Sequence, residues 1–158
     1  MIKIRNEQPT DYRQVEEVTR KAFWNLGPVS ITPELHRQGY GRMLITHAIE
    51  AARNQGHRAI VLGGFPYHYE PYGFVSTKRY DISMTDGKFY TGIMALPLYD
   101  GALDDITGIL KLSNALYPDD SELEPYENTF EPLEKKVLPQ QKKFEQAASE
   151  LDLNDYSK

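Results

Sequence analysis

The chain contains no cysteine. That excludes a disulfide framework, a zinc–thiolate site and a cysteine nucleophile. Long apolar runs are missing too, and hydrophobic stretches of a few residues cannot cross a bilayer. The opening "MIKIRNEQPTD" lacks the apolar core of a secretory signal, so the expected address is cytoplasmic with no membrane partner. Positive charge is in short supply: the net charge is −5. The deficit is local, because Asp119 to Lys158 holds 11 acidic and 5 basic residues, which leaves the first 118 residues at +1. An acidic whole argues against nucleic-acid binding but permits a local basic site for an anion. The four histidines, His36, His47, His57 and His68, show no metal-ligand spacing, so no metal is expected. His47 and His57 read as surface residues.

What is present suits one soluble domain. The chain has 158 residues, of which 40% are apolar and 26% charged, enough for a real core. "MIKIR" alternates like a short strand with Ile2 and Ile4 inward. A helix comes next, capped by Thr10 or Asp11, with Val15, Val18 and Phe23 on its buried side and Gly27–Pro28 at its end. "PVSI" reads as a strand. "RMLITHAIEAARNQG" reads as an amphipathic helix with Leu44, Ile45, Ala48, Ile49, Ala51 and Ala52 on one face, stopped by Gly56. "RAIVLGG" is nearly all apolar and so expected at the centre of a sheet. Together these segments predict a βαβ unit, with "PVSI" and "AIVL" parallel and adjacent. Farther on, "FVSTKRYDISM" and "KFYTGIMALPL" are expected to pair as strands around Asp86–Gly87. The polar tail is punctuated by Pro125, Pro132 and Pro139. Within it "PQQKKFEQAASEL" predicts a helix with Phe144, Ala147, Ala148 and Leu151 inward. The domain reading is 1–118 as a core domain and 119–158 as an acidic, partly helical extension.

The stretch "RQGYGR" sits at the mouth of the long helix. A helix start leaves amide N–H groups unpaired, and its dipole favours an anion. Gly39 lets the backbone turn and Gly41 removes a side chain that would crowd a ligand. Arg37 and Arg42 bracket the turn with positive charge. The pattern is neither a Walker loop nor a dinucleotide G-x-G-x-x-G, since Leu44 stands where the last glycine would fall. A phosphate or pyrophosphate is one reading; a flexible connection with solvated arginines is the other. "PYHYEPYGF" likewise reads either as a site or as an aromatic cluster that packs a short helix on a sheet.

Taken together, "VSITPELHRQGYGRMLITHAIEAARNQG" resembles the acyl-CoA-binding motif of the GCN5-related N-acetyltransferase (GNAT) superfamily. "AIVLGGFPYHYEPYGF" resembles that family's next block, with a tyrosine, Tyr69, five residues before the Phe of Gly73–Phe74. The later hairpin and "LPLYDGALDDITG" look like a bacterial subgroup of uncharacterised acetyltransferases. The resemblance implies a mixed α/β sheet flanked by helices, with acetyl-CoA as the acyl donor. It implies that backbone N–H groups of Arg37, Gln38, Gly39, Tyr40, Gly41 and Arg42 hold the pyrophosphate. It also implies a backbone donor at Ile31 near the thioester carbonyl, and Tyr69 as the acid that protonates the leaving thiolate. His36 stands where the family most often has Gln or Arg. An amine of a small molecule or peptide would attack directly, with no covalent enzyme intermediate.

The resemblance breaks upstream. Such folds have a second helix and two further strands before the motif strand, whereas here "KAFWNL" runs almost directly into "GPVSI". The missing half would line the acceptor site and supply the general base. Glu34, His68 and water remain open for that role, and a second copy of the chain, as a homo-oligomer, is one candidate cover for the shortened sheet edge. Three functions therefore compete: an N-acetyltransferase, a degenerate member that binds coenzyme A without efficient catalysis, and an interaction module working through its acidic tail.

Overall fold

Five residues at the middle of a sheet, Ile93–Pro97 (β4), hold much of the core, with Ala95 fully buried and Met94 2% exposed. Their neighbours are seen in the computed structural model, which describes residues 4–16, 29–111, 120–132 and 139–156. The helices are α1 (Tyr40–Asn54), α2 (Pro66–Tyr69), α3 (Asp120–Glu127) and α4 (Pro139–Ser149). The remaining strands are β1 (Ala59–Gly63), β2 (Val75–Ser76), β3 (Ile82–Ser83) and β5 (Gly108–Ile109). The chain forms two compact units, one from Met1–Ala51 with Asp119–Lys136 and one from Ala52–Pro118 with Val137–Lys158. Each unit thus contains a piece of the C-terminal acidic segment.

In the first unit a short 3-10 turn, Pro9–Asp11, leads into helical residues 12–16. The cap is Gln8 rather than Thr10 or Asp11: the Gln8 N–H donates to Asp11 Oδ2 at 2.8 Å. Arg5 grips the same carboxylate through two nitrogens at 2.5 and 3.0 Å, and its hydrogen bonds hold Asp11 down at a pKa of about 2. Val15, expected inside, is 44% exposed. Arg13 instead reaches the other sequence segment of this unit: its guanidinium lies 3.5 Å from the centre of the buried Phe130 ring and donates to Thr129 Oγ1 at 2.9 Å. Val18, Phe23, Gly27 and Pro28 lie outside the described residues, as does most of "MIKIR". Pro125, expected to interrupt the chain, lies inside α3.

Helix α1 forms where the apolar period placed it. Ile49 is buried, Leu44, Ile45, Ala51 and Ala52 are half-buried, and only Ala48 of the expected face is exposed. His47 is half-buried rather than on the surface. Gly56 ends the helix with φ +78°, and its N–H donates to Arg53 O at 3.0 Å, a conformation glycine adopts at least cost.

The sheet corrects three expectations. Its order is β1-β4-β2, antiparallel throughout, with Val61 opposite Ala95 on one side and Val75 opposite Ala95 on the other. So β1 is an edge strand among the described residues, and β4 is central. From Ile60 to Gly63 exposure along β1 alternates, and Val61 is 38% exposed, which one-sided burial produces and an apolar run conceals. Val29, Ser30 and Ile31 form no strand, so the parallel βαβ pairing with "AIVL" is not formed. The turn at Asp86–Gly87 does form, with Gly87 at φ +75° and the Met84 N–H donating to Lys88 O at 2.9 Å. Its flanks do not zip up as one hairpin: β3 turns away to pair in parallel with β5, and β4 takes β2 instead.

Helix α4 and the residues after it are joined to the rest of the second unit through backbone atoms. Gly92 N–H donates to Ala147 O at 2.9 Å, Thr91 N–H to Glu150 O at 2.9 Å and Asp152 N–H to Phe89 O at 2.9 Å. Ala147 is buried and Phe144 half-buried, as the helical period predicts, whereas Ala148 and Leu151 are exposed. Asp152 is buried and anchors the residues after it: its Oδ1 accepts from the Asn154 backbone and side chain at 3.0 and 2.9 Å, and its Oδ2 from Tyr156 Oη at 3.1 Å. Burial alone would raise its pKa, but hydrogen bonds from Ser76, Asn154 and Tyr156 hold the carboxyl below the usual carboxylate range.

Candidate functional site

The first unit presents a helix mouth. Its loop begins with a 3-10 turn, Pro33–Leu35, closed by Leu35 N–H donating to Thr32 O at 2.9 Å. Two side chains tie it down: His36 Nε2 donates to Ile31 O at 2.8 Å, and Gln38 Nε2 to Glu34 O at 3.0 Å. His36 therefore serves the loop's own geometry. Arg37 then takes φ +60° and Gly39 φ +87°. The left-handed conformation is costly for arginine, and the loop holds it there against that cost.

Space around the glycines differs from a packed turn. A methyl group at Gly39 would meet nothing within 4 Å, and one at Gly41 only Ile31 Cγ1 at 3.9 Å. Packing within the described protein therefore requires neither glycine. Arg37, Gln38, Gly39 and Arg42 are exposed, and Ile31, Tyr40 and Gly41 half-buried. Met43 N–H donates to Gly39 O at 3.1 Å; the amides of Tyr40, Gly41 and Arg42 lie ahead of it in the first turn, where helices leave N–H groups without carbonyl partners.

The second unit holds Tyr69 at the end of α2. Glu70–Tyr72 continues as a 3-10 turn and stops at Gly73, φ +91°, whose N–H donates to Glu70 O at 2.9 Å. This turn carries the chain over Pro71 and delivers Phe74, 2% exposed, into the core. The Tyr69 ring packs edge-on against Phe74, with centroids 5.6 Å apart. Tyr69 is half-buried, and burial, then its neighbour Tyr72, pushes its pKa above the ordinary phenol value. The phenol is therefore protonated at neutral pH. His68 is exposed by comparison, but partial desolvation lowers its pKa and favours the neutral imidazole.

A cavity of about 800 Å³ adjoins α2, lined among others by Phe65, Tyr67, Glu70, Arg79, Lys143 and Asp152. Tyr67, 57% exposed and stacked on Phe65 at 5.5 Å, faces it, and Tyr69 is not among its lining residues. Sequence reasoning missed this cavity, because α4 builds one wall of it and no motif in the tail advertises that packing. Among the described residues no group of three or more His, Asp or Glu could hold a metal, and no helix is long and apolar enough to cross a membrane.

The described elements define a mixed α/β fold with a sheet flanked by helices. Residues 3–71 match the acetyltransferase (GNAT) family model. Among solved structures, the chain is similar to the GNAT family N-acetyltransferase YhbS from Escherichia coli in complex with CoA. That likeness has a TM-score of 0.52 at 23% identity, over 56% of this chain and 49% of that one. It establishes the fold, and the chain spans about half the length of that relative. No curated protein matches. These likenesses show a GNAT-like fold over part of the chain.

Proposed function

We propose that the protein binds acetyl-CoA at the mouth of α1 and transfers its acetyl group to a primary amine of a small molecule or peptide. One observation carries the reading: a left-handed, arginine-flanked glycine turn borders open space at a helix start, inside the segment that matches the acetyltransferase family model. Those residues fit a diphosphate. Gly39 and Gly41 leave the backbone bare, the first-turn N–H groups of Tyr40, Gly41 and Arg42 donate, and Arg37 and Arg42 supply charge. Ile31 lies beside Gly41 and borders the same turn. The similar solved structure holds CoA.

The acetyl thioester supplies the electrophile. The residues of this chain then orient it and move protons. Tyr69 keeps its phenol proton at neutral pH and passes it from Oη to the departing thiolate. Accepting the proton from the attacking amine falls to His68, which is neutral, to Glu34 or to water. A cytoplasmic setting suits the donor. A second reading is coenzyme A binding without efficient turnover.

Calorimetric titration with acetyl-CoA tests the binding, and saturable heat is expected. Absence of binding at millimolar ligand would defeat both readings. Thiol release on a panel of polyamines, aminoglycosides, amino acids and peptide N-termini tests transfer. Tyr69→Phe is expected to lower kcat by roughly 10²-fold while leaving the acetyl-CoA Kd unchanged. Tight binding with no turnover on the panel would favour the second reading.

A further inference from the structure

Gly64 leaves β1 and is buried. A methyl group there would lie 2.4 Å from Cε2 and 3.0 Å from Cδ2 of Tyr69, closer than real side chains approach. Its φ is not among the left-handed ones, so alanine is conformationally allowed. What forbids alanine is the ring, helped only by the flexible tip of Leu62, Cδ1, at 3.3 Å. Tyr69 is thus clamped between the bare Cα of Gly64 and the buried edge of Phe74.

Behind Gly64 the series of close approaches continues. Gly64 N–H donates to Gly92 O at 2.8 Å, and Gly92 N–H to Ala147 O at 2.9 Å. A methyl group on Gly92 would meet Ala147 O at 2.8 Å and Gly64 O at 3.0 Å. Three backbones therefore touch in series, from α4 through Gly92 to Gly64, with the tyrosine ring resting on the last.

We propose that Gly64 is a positioning residue for Tyr69, and that helix α4 fixes Gly64 through Gly92. The catalytic meaning rests on the acyl-transfer reading of Tyr69; the packing does not.

Thermal unfolding of the full chain separates the two. Gly64→Ala is expected to lower Tm by roughly 5 °C. The same loss is expected in a Tyr69→Phe background, where the ring remains, and none in Tyr69→Ala, where it is gone. An equal loss in all three backgrounds would overturn the proposal. Carbon NMR of tyrosine Cζ supplies a signature that plain destabilisation does not move: in Gly64→Ala the Tyr69 pKa falls toward the ordinary phenol value. In Gly92→Ala the Tyr69 resonance shifts, and an unmoved resonance beside a displaced α4 would overturn the link to the helix. Kinetically, Gly64→Ala should lower kcat at least tenfold with the acetyl-CoA KM unchanged, and an unchanged kcat would defeat the catalytic role. A chain without transferase activity in any form, yet with the thermal coupling intact, would refute the acyl-transfer reading and uphold the packing pair.

Discussion

Gly39 and Gly41 border open space, whereas Gly64 and Gly92 are hemmed in by protein atoms. The four do not lack a side chain for one physical reason. Gly39 is demanded by its backbone, because φ +87° disfavours any L side chain. Gly41 is demanded by nothing within the described protein. Gly64 and Gly92 are demanded by packing, against a ring and against two carbonyl oxygens. A glycine that the fold does not need, at an exposed helix mouth, is the kind a ligand would explain; a glycine boxed in by its own chain explains itself.

Substitutions sharpen this contrast. The largest loss is expected for Gly92→Ala, because two backbone oxygens cannot swing away as a side chain can; about 2–3 kcal/mol of stability should go, read by chemical unfolding. Acid should loosen the same region next. Asp152 has a lowered carboxyl pKa in the folded chain, so its contribution is present above the ordinary aspartate value and lost as pH falls through the lower folded value. Asp152→Asn should remove that acid dependence and cost about 1 kcal/mol at neutral pH, since an amide cannot accept from every donor around it. Gly39→Ala should cost about 1 kcal/mol through its left-handed backbone, with acetyl-CoA affinity falling at least tenfold. The smallest effect on stability is the most telling. Gly41→Ala should stabilise the apo protein by up to about 0.5 kcal/mol through helix propensity and yet weaken acetyl-CoA binding. A stabilised variant with undiminished affinity would remove the reason for that glycine and, with it, the contrast between the two pairs.

Much of the fold was legible where local chemistry decides. The apolar period from Leu44 to Ala52 and the Gly56 stop place α1, and Asp86–Gly87 places its turn. The spacing of Phe144 and Ala147 places the buried side of α4. Strand partners were not legible. "AIVL" and "IMAL" are equally apolar, and only assembly shows that the second sits between two strands while the first keeps an open edge among the described residues. Likewise "TDGK" fixes a turn but not whether its flanks pair with each other, and here they choose different partners. Of the candidate site, the left-handed glycine and its arginines could be read from the sequence. The carbonyl-binding role of His36 and the clamp on Tyr69 could not.

The sequence by itself determined helix α1, the buried side of α4, the glycine-marked turns and the family likeness, because these depend on residues within a few positions of one another. Tertiary structure alone decided which strand is central, why Gly64 and Gly92 admit no side chain, and how Asp152 stays ionised while buried. Each of those depends on atoms that residues far apart in the chain bring within about 3 Å, and excluded volume and desolvation act on that distance, not on sequence order.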